Sequence, residues 1–155
     1  MRHVISVLVE NRFGVLARIS GLFSARGFNI DSLTVGETED PTASRMTIVV
    51  RGDDKTLEQV KKQLNKLIDV INVRDMKKDF IDRELLLFKV KVSQETKAKA
   101  VNFLEKNHAK VLASSADSVT VEFAGDQEHI AKLLEGLKDY GIKDMTRTGR
   151  AALEK

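Results

Sequence analysis

ENRFGVLARISGLFSARGFNIDSLTVG, residues 10–36, is the stretch that decides the fold. A strand ends at Glu10, the turn Asn11-Arg12-Phe13-Gly14 follows, and a helix then begins. Gly27 stands where a left-handed C-terminal helix cap is expected, and Ile30–Glu37 has the character of a strand. Apolar residues recur in the helix at helical spacing, at Val15, Leu16, Ile19, Leu22 and Phe23. The stretch therefore predicts a strand–helix–strand unit.

The flanking sequence completes this unit. Residues His3–Glu10 and Ser44–Arg51 alternate as strands, and a further strand is expected from Val70 to Met76. Asp53 or Asp54 is suited to cap a helix between the last two strands. The apolar stripe of that helix is Leu57, Val60, Leu64, Leu67 and Ile68. The predicted order is βαββαβ, which packs two helices on one face of an antiparallel sheet.

The same order recurs about eighty residues later. Strands are predicted at Glu84–Val92, Lys110–Ser114, Val119–Ala124 and Ile142–Thr148, with helices at Gln94–Lys106 and after Asp126. We therefore expect an α+β protein with two ferredoxin-like βαββαβ units, in which residues 1–77 form the first domain and the polar segment 78–83 is a linker. Residues 84–155 form a smaller C-terminal α/β domain of the ferredoxin-like type. The tail from Gly149 is expected to be frayed.

Composition excludes several classes of protein. The 155 residues include no cysteine, which rules out disulfides and thiolate metal sites and favours a cytoplasmic location. The net charge of +3 is spread evenly, with 13 Lys+Arg against 11 Asp+Glu in residues 1–80 and 13 against 12 in residues 81–155. A nucleic-acid binder usually gathers its basic residues on one face. No apolar run is long enough to predict a membrane span.

The turn at Gly14 is the first candidate for a binding site. A glycine at the start of a helix allows a ligand to approach free backbone N–H groups, and the partial positive charge there suits a carboxylate or phosphate. The second unit has Val92-Ser93-Gln94-Glu95 at the corresponding place, without a glycine. This difference favours a role beyond folding, but a tight strand-to-helix turn explains Gly14 equally well.

Asn29 is the second candidate, because its amide can accept from an ammonium group and donate to a carboxylate. We expect the Gly14 turn and the start of the second strand to meet at the same end of the sheet. Catalytic and metal-binding patterns are lacking: His3, His108 and His129 are scattered, and no serine stands in a nucleophile elbow. We predict no catalytic residue and no metal ligand.

Two stretches carry a resemblance to a known family. Glu10-Asn11, Gly14-Val15-Leu16 and Gly27-Phe28-Asn29-Ile30 resemble an ACT domain, the amino-acid-sensing module. Residues 40–48, DPTASRMTI, together with Ser32–Gly36, narrow this to the small regulatory subunits of acetolactate (acetohydroxyacid) synthase. The resemblance covers the whole chain, although the C-terminal half matches mainly in length and architecture.

The resemblance implies a regulatory function. Such subunits perform no chemistry and hold no cofactor; they bind a catalytic large subunit that uses thiamine diphosphate, Mg²⁺ and FAD. They raise its activity and confer feedback inhibition by a branched-chain amino acid, usually valine. Their ACT domains form dimers, so the turn of one chain would face Asn29 and Ile30 of the other. The implied effector-binding residues are Asn11, Gly14, Val15, Leu16, Asn29 and Ile30.

Two other classes of function remain open. A free-standing ACT sensor acting on another partner would need a DNA-reading element or a concentrated basic face, and neither is visible in the sequence. An enzyme of another type would need catalytic groups that the sequence does not offer. Co-purification of a large thiamine-diphosphate enzyme distinguishes these alternatives from a regulatory subunit.

Overall fold

The computed structural model describes all 155 residues. The chain divides into two compact units, one formed by residues 1–81 with 149–155 and the other by residues 82–148. Each unit contains the order strand–helix–strand–strand–helix–strand. The predicted α+β class with two ferredoxin-like units is confirmed.

The first unit is built on a four-stranded antiparallel sheet with the strand order β2-β3-β1-β4. Ile5, Val7 and Val9 of the first strand point to the helical face, because alternate strand residues share a face. They form one core with apolar residues of both helices. The elements are β1 (Arg2–Glu10), α1 (Val15–Ala25), β2 (Ile30–Glu37), β3 (Ala43–Arg51), α2 (Asp54–Leu64) and β4 (Val70–Asp75).

The second unit repeats this arrangement with the strand order β6-β7-β5-β8. Its core is a separate cluster in which Leu86, Phe88 and Val90 of the central strand are buried. The elements are β5 (Phe80–Lys91), α3 (Lys97–Lys106), β6 (Lys110–Ser114), β7 (Ser118–Gly125), α4 (Gln127–Gly136) and β8 (Ile142–Arg147). The last strand, β9 (Ala151–Glu154), belongs to the first unit.

The helix ends are set by the residues that the sequence singles out. Asp53 caps α2 by accepting a hydrogen bond from the Thr56 N–H at 2.7 Å, and Asp126 caps α4 by accepting one from the His129 N–H at 2.9 Å. Gly27 has φ 68° and lies just beyond α1, which confirms the predicted left-handed cap. His108 has φ 60° at the corresponding place after α3.

Two expectations for the chain outside the main elements are wrong, and the segment 78–83, expected to be a linker, contains the start of β5 at Phe80. The tail from Gly149 is not frayed: it forms β9, Ala152 is buried with Val4 and Val49 on the second face of the first sheet, and the Ala152 N–H donates to Thr47 Oγ1 at 3.2 Å. Ile68 does not belong to the apolar stripe of α2, because the helix ends at Leu64 and the Ile68 side chain is exposed.

Candidate functional site

The turn between β1 and α1 leaves backbone donors at the start of the helix. Gly14 is the N-cap residue of α1, has φ 82° and ψ −4°, and no side chain caps the helix. The Val15 N–H donates to the Arg12 carbonyl oxygen at 3.4 Å, whereas the N–H groups of Leu16 and Ala17 have no acceptor within the chain. Free N–H groups at a helix N-terminus attract a carboxylate or another small anion.

Asn11 ties this turn to the connection between β2 and β3. Its backbone N–H donates to the Thr42 carbonyl oxygen at 2.7 Å, and its Nδ2 donates to the Pro41 carbonyl oxygen at 2.9 Å. Hydrogen bonds from the Thr42 side chain and backbone N–H to Asp40 order the connection and lower the pKa of the Asp40 carboxyl. The hydrogen bond to Pro41 uses one of the two amide hydrogens of Asn11, and its side-chain oxygen remains able to accept a hydrogen bond.

Asn29 is held in a similar way just before β2. Its Nδ2 donates to Asp31 Oδ1 at 3.2 Å, which leaves its side-chain oxygen as the free acceptor. The other carboxylate oxygen of Asp31 accepts from Arg51 Nε at 2.7 Å and from Arg2 Nε at 3.0 Å. The hydrogen bond from Arg51, with the charges of both arginines, lowers the pKa of the Asp31 carboxyl below its ordinary value. Asp31 therefore stays ionised and fixes the orientation of the Asn29 amide.

The apolar residues implied for the site differ in accessibility. The Leu16 side chain is 45% exposed beside the turn, and Ile30 is half-buried at the start of β2. The Val15 side chain is buried in the first core, so only its backbone can face a ligand. Leu16 and Ile30 have the exposure that an apolar side-chain pocket requires.

Within one chain these residues form two half-sites at opposite ends of the sheet. Glu10, which precedes the turn, pairs with Ala43, whereas Ile30 pairs with Val50. Seven residue steps along β3 separate these pairs, or about 24 Å at roughly 3.4 Å per residue. The expectation that the turn and the start of β2 meet at the same end is therefore wrong for a single chain. The reason is that β1 and β2 are both antiparallel to β3, so they run in the same direction.

Arg18 and Asp69 form an ion pair beside the turn, which sequence reasoning did not find. Arg18 Nε and Nη2 lie 2.9 and 2.6 Å from Asp69 Oδ2, and the Asp69 side chain is only 10% exposed. A Cβ atom added to Gly14 would lie 3.2 Å from Arg18 Nη1. The spacing of Gly14 and Arg18 by one helical turn places both on the same side of α1, but nothing local reveals Asp69 fifty-one residues later.

No group of three or more His, Asp or Glu side chains is arranged to hold a metal ion. His3 Nε2 lies 3.1 Å from the Gly52 carbonyl oxygen, and His129 Nδ1 lies 2.7 Å from Asp126 Oδ1. No helix is long and apolar enough to cross a membrane.

Comparison with known proteins identifies the family. Residues 5–72 match the AHAS small subunit-like ACT domain family, and residues 83–155 match the family described as the small subunit of acetolactate synthase. The probable acetolactate synthase small subunit of Archaeoglobus fulgidus is 48% identical over 153 residues, which is 99% of this chain and 96% of that protein. The chain belongs to the acetolactate synthase small subunit family.

Other relatives agree with this assignment. The acetolactate synthase small subunit of Mycolicibacterium smegmatis is 47% identical over 148 residues, covering 95% of this chain and 87% of that protein. The crystal structure of the acetolactate synthase small subunit from Thermotoga maritima superimposes with a TM-score of 0.90 at 35% identity, covering 100% of this chain and 98% of that one. Both candidate half-sites lie within the residues that match the AHAS small subunit-like ACT domain family.

Proposed function

We propose that this chain is the regulatory subunit of an acetolactate synthase. It binds the catalytic large subunit, which uses thiamine diphosphate, Mg²⁺ and FAD, and raises its activity. It also confers feedback inhibition by a branched-chain amino acid, valine or a close relative. The chain performs no chemistry itself and holds none of these cofactors.

The observation that carries the proposal is the complementarity of the two half-sites to an α-amino acid. The turn at Gly14 offers unpaired N–H donors for a carboxylate, while Asn11 and Asn29 each present a free side-chain oxygen for an ammonium group. Leu16 and Ile30 supply apolar surface for a branched side chain. A free amino acid carries these same three groups.

The half-sites can meet only between two copies of the chain, so the proposal includes a homodimer. Strand β2 is an edge of the first sheet, with backbone groups free to pair on one side. Antiparallel pairing of two β2 strands about a two-fold axis brings Ile30 of one copy toward the β2–β3 connection of the other. Asn11 is bonded to that connection, so Asn29 of one copy approaches the turn of the other. Such a dimer contains two equivalent effector sites.

Inhibition of the holoenzyme tests the proposal. Acetolactate formation by the large subunit is measured with wild-type chain and with Gly14→Asp, Gly14→Asn and Asn29→Ala, against L-valine, L-leucine and L-isoleucine. We expect Gly14→Asp to abolish inhibition and keep activation, because its carboxylate takes the place of the effector carboxylate at the helix N-terminus. Gly14→Asn is the matched control for charge, since Asn also tolerates a positive φ, and it should weaken inhibition less than Gly14→Asp. Asn29→Ala should weaken inhibition roughly tenfold to a hundredfold, the effect of losing a hydrogen bond to a charged group.

Three outcomes contradict the proposal. The first is acetolactate formation by the isolated chain. The second is the absence of activation when the large subunit is added. The third is an unchanged inhibition curve for folded, activating Gly14→Asp and Asn29→Ala variants, which would show that the effector binds elsewhere.

A further inference from the structure

The two asparagines offer the effector carboxylate only neutral side-chain donors. The Nδ2 group of Asn11 is bonded to the Pro41 carbonyl oxygen, and that of Asn29 is bonded to Asp31. Each amide keeps a free oxygen, which suits an ammonium group, and one N–H, which is a neutral donor. A positively charged donor for the carboxylate must come from another residue near the Gly14 turn.

Arg18 is such a residue. Its Nε and Nη2 atoms are both occupied by Asp69 Oδ2, whereas Nη1 makes no hydrogen bond within the chain. This free nitrogen lies 3.2 Å from the point that a Gly14 Cβ atom would occupy. A ligand atom that approaches the backbone at Gly14 therefore comes within hydrogen-bonding reach of a guanidinium group.

The second unit shows that the fold does not need this ion pair. The Glu10 N–H donates to the Asp69 carbonyl oxygen at 2.8 Å, and the Lys91 N–H donates to the Gly141 carbonyl oxygen at 2.9 Å, so Gly141 is the counterpart of Asp69. The helix ends correspond in the same way, since Phe28 N–H donates to the Phe23 carbonyl oxygen and Ala109 N–H to that of Leu104.

Lys99, five residues before Leu104, is thus the counterpart of Arg18, which lies five residues before Phe23. Lys99 makes no ion pair, and Gly141 has no side chain with which to form one. The second unit builds the same strand, turn and helix without a cation–carboxylate pair. The comparison favours a role for the pair in the first unit beyond building this turn.

We propose that Arg18 binds the carboxylate of the amino-acid effector through Nη1 and that Asp69 is the positioning residue that holds the guanidinium beside Gly14. The inference rests on the proposed function, because it concerns the same effector site. It also gives a second reason for glycine at position 14: a side chain there would meet Nη1 and cover the donor. An aspartate at this position would pair with Arg18 directly and occupy the carboxylate subsite.

The test compares two ligands that differ only at the carboxylate. Holoenzyme inhibition is measured with L-valine and with L-valinamide, which keeps the ammonium group and the side chain but is neutral where valine carries its carboxylate. If L-leucine or L-isoleucine inhibits the wild type more strongly, that amino acid and its amide replace the valine pair. The variants are Arg18→Gln, Arg18→Lys and Asp69→Ala, with Lys99→Gln as the matched control in the second unit.

We expect Arg18→Gln to raise the half-inhibiting concentration of the amino acid roughly tenfold to a hundredfold, as for loss of a charge-assisted hydrogen bond. The response to the amide should stay as it is in the wild type, so the preference for the carboxylate ligand falls by the same factor. The half-inhibiting concentration of the amino acid for Arg18→Lys should lie between those for the wild type and Arg18→Gln, because an ammonium keeps the charge but lacks the forked geometry. Asp69→Ala should weaken inhibition by the amino acid less than Arg18→Gln, since the cation remains but loses its anchor. Lys99→Gln should have the same half-inhibiting concentrations as the wild type for both ligands.

An equal loss of inhibition for both ligands in Arg18→Gln would overturn the inference, because it would indicate a structural role. An unchanged amino-acid response in Arg18→Gln overturns it as well, and an unchanged response in Asp69→Ala removes the positioning role. Asn29→Ala and Gly14→Asp are measured alongside: if they lose inhibition and Arg18→Gln does not, this inference alone fails. The proposed effector site itself is wrong if normal inhibition is conferred by all four of these variants, Arg18→Gln, Asp69→Ala, Asn29→Ala and Gly14→Asp. Melting temperatures and activation of the large subunit confirm that each variant is folded.

Discussion

Arg147 and Glu84 form a two-pronged ion pair between neighbouring strands of the second unit. Arg147 Nη2 lies 2.6 Å from Glu84 Oε2 and Arg147 Nε lies 2.9 Å from Glu84 Oε1, while Gln127 Nε2 donates to Oε2 at 2.8 Å. The Glu84 side chain is 4% exposed and that of Arg147 is 40% exposed. The hydrogen bond to Glu84 raises the pKa of the Arg147 guanidinium. The charge of the nearly buried Glu84 carboxylate is thus balanced by the partly exposed Arg147 guanidinium.

Removal of the cation should destabilise the second unit. We expect Arg147→Met to lower the free energy of unfolding by about 1–3 kcal/mol, less than for a fully buried pair because Arg147 is partly solvated. Lys143→Met is the matched control, because its partner Asp117 is 71% exposed, and it should change stability little. Urea denaturation followed by circular dichroism measures both. The interpretation fails if the two variants lose the same amount of stability.

The free edge of β2 should determine the oligomeric state. We expect light scattering to give a mass of at least twice the chain mass of 17.3 kDa for the wild type, and a lower mass for Val35→Lys. A lysine on this edge strand opposes edge-to-edge pairing. Ile71→Lys places the same charge on β4, the opposite edge of the sheet, and should keep the wild-type mass. A monomeric wild type at micromolar concentration, with and without L-valine, would contradict the dimer.

Asp31 should make stability depend on pH in the acidic range. The hydrogen bond from Arg51 and the charges of Arg51 and Arg2 hold the pKa of the folded Asp31 carboxyl below its ordinary value of 3.8. The unfolded chain therefore takes up this proton first as the pH falls. The contribution to stability is complete above the ordinary value and is lost as the pH drops through the lower folded value.

Melting temperatures between pH 7 and pH 3 check this expectation. Asp31→Asn should melt below the wild type at pH 7, and the difference should narrow as the pH falls toward 3. Glu39→Gln, which alters an exposed carboxyl without an ion pair, should follow the wild-type curve. A constant difference between Asp31→Asn and the wild type across this range would show that the ion pairs of Asp31 do not govern the effect.

The tail strand should stabilise the first unit. Ala152 is 6% exposed and packs with Val4, Val49 and Met76, so Ala152→Glu buries a charge without a partner. We expect a loss of about 2 kcal/mol or more in the free energy of unfolding. Leu153→Glu is the control, because its side chain is 63% exposed on the same strand. Equal stability of the two variants would show that the contact of Ala152 with the sheet is of no consequence.

Local sequence signals predicted most of the fold and part of the candidate site. Strands β2 and β6 have the predicted limits, and Asp53, Asp126 and Gly27 act at helix ends because their signals depend on neighbouring residues alone. Gly14 also has the positive φ that a backbone-exposing turn requires.

Long-range contacts account for what the sequence did not reveal. Segment 78–83 is polar, yet its strand is supported by the tail, where the Lys155 N–H donates to the Asp79 carbonyl oxygen at 2.9 Å. Arg18 finds Asp69 only after the sheet has brought β1 beside β4. The separation of Asn29 from the Gly14 turn follows from strand direction, which composition and periodicity do not specify.

The return of residues 149–155 to the first unit sets the order in which the protein can be completed during synthesis. Residues 82–148 are continuous in sequence, so the second unit has all its residues as soon as Thr148 has been added to the growing chain. The first unit begins earlier but lacks Ala152 at that moment, and one face of its sheet stays open at Val4, Val49 and Met76. The unit made first is therefore finished last, and a chain truncated before Ala152 would carry this apolar face uncovered.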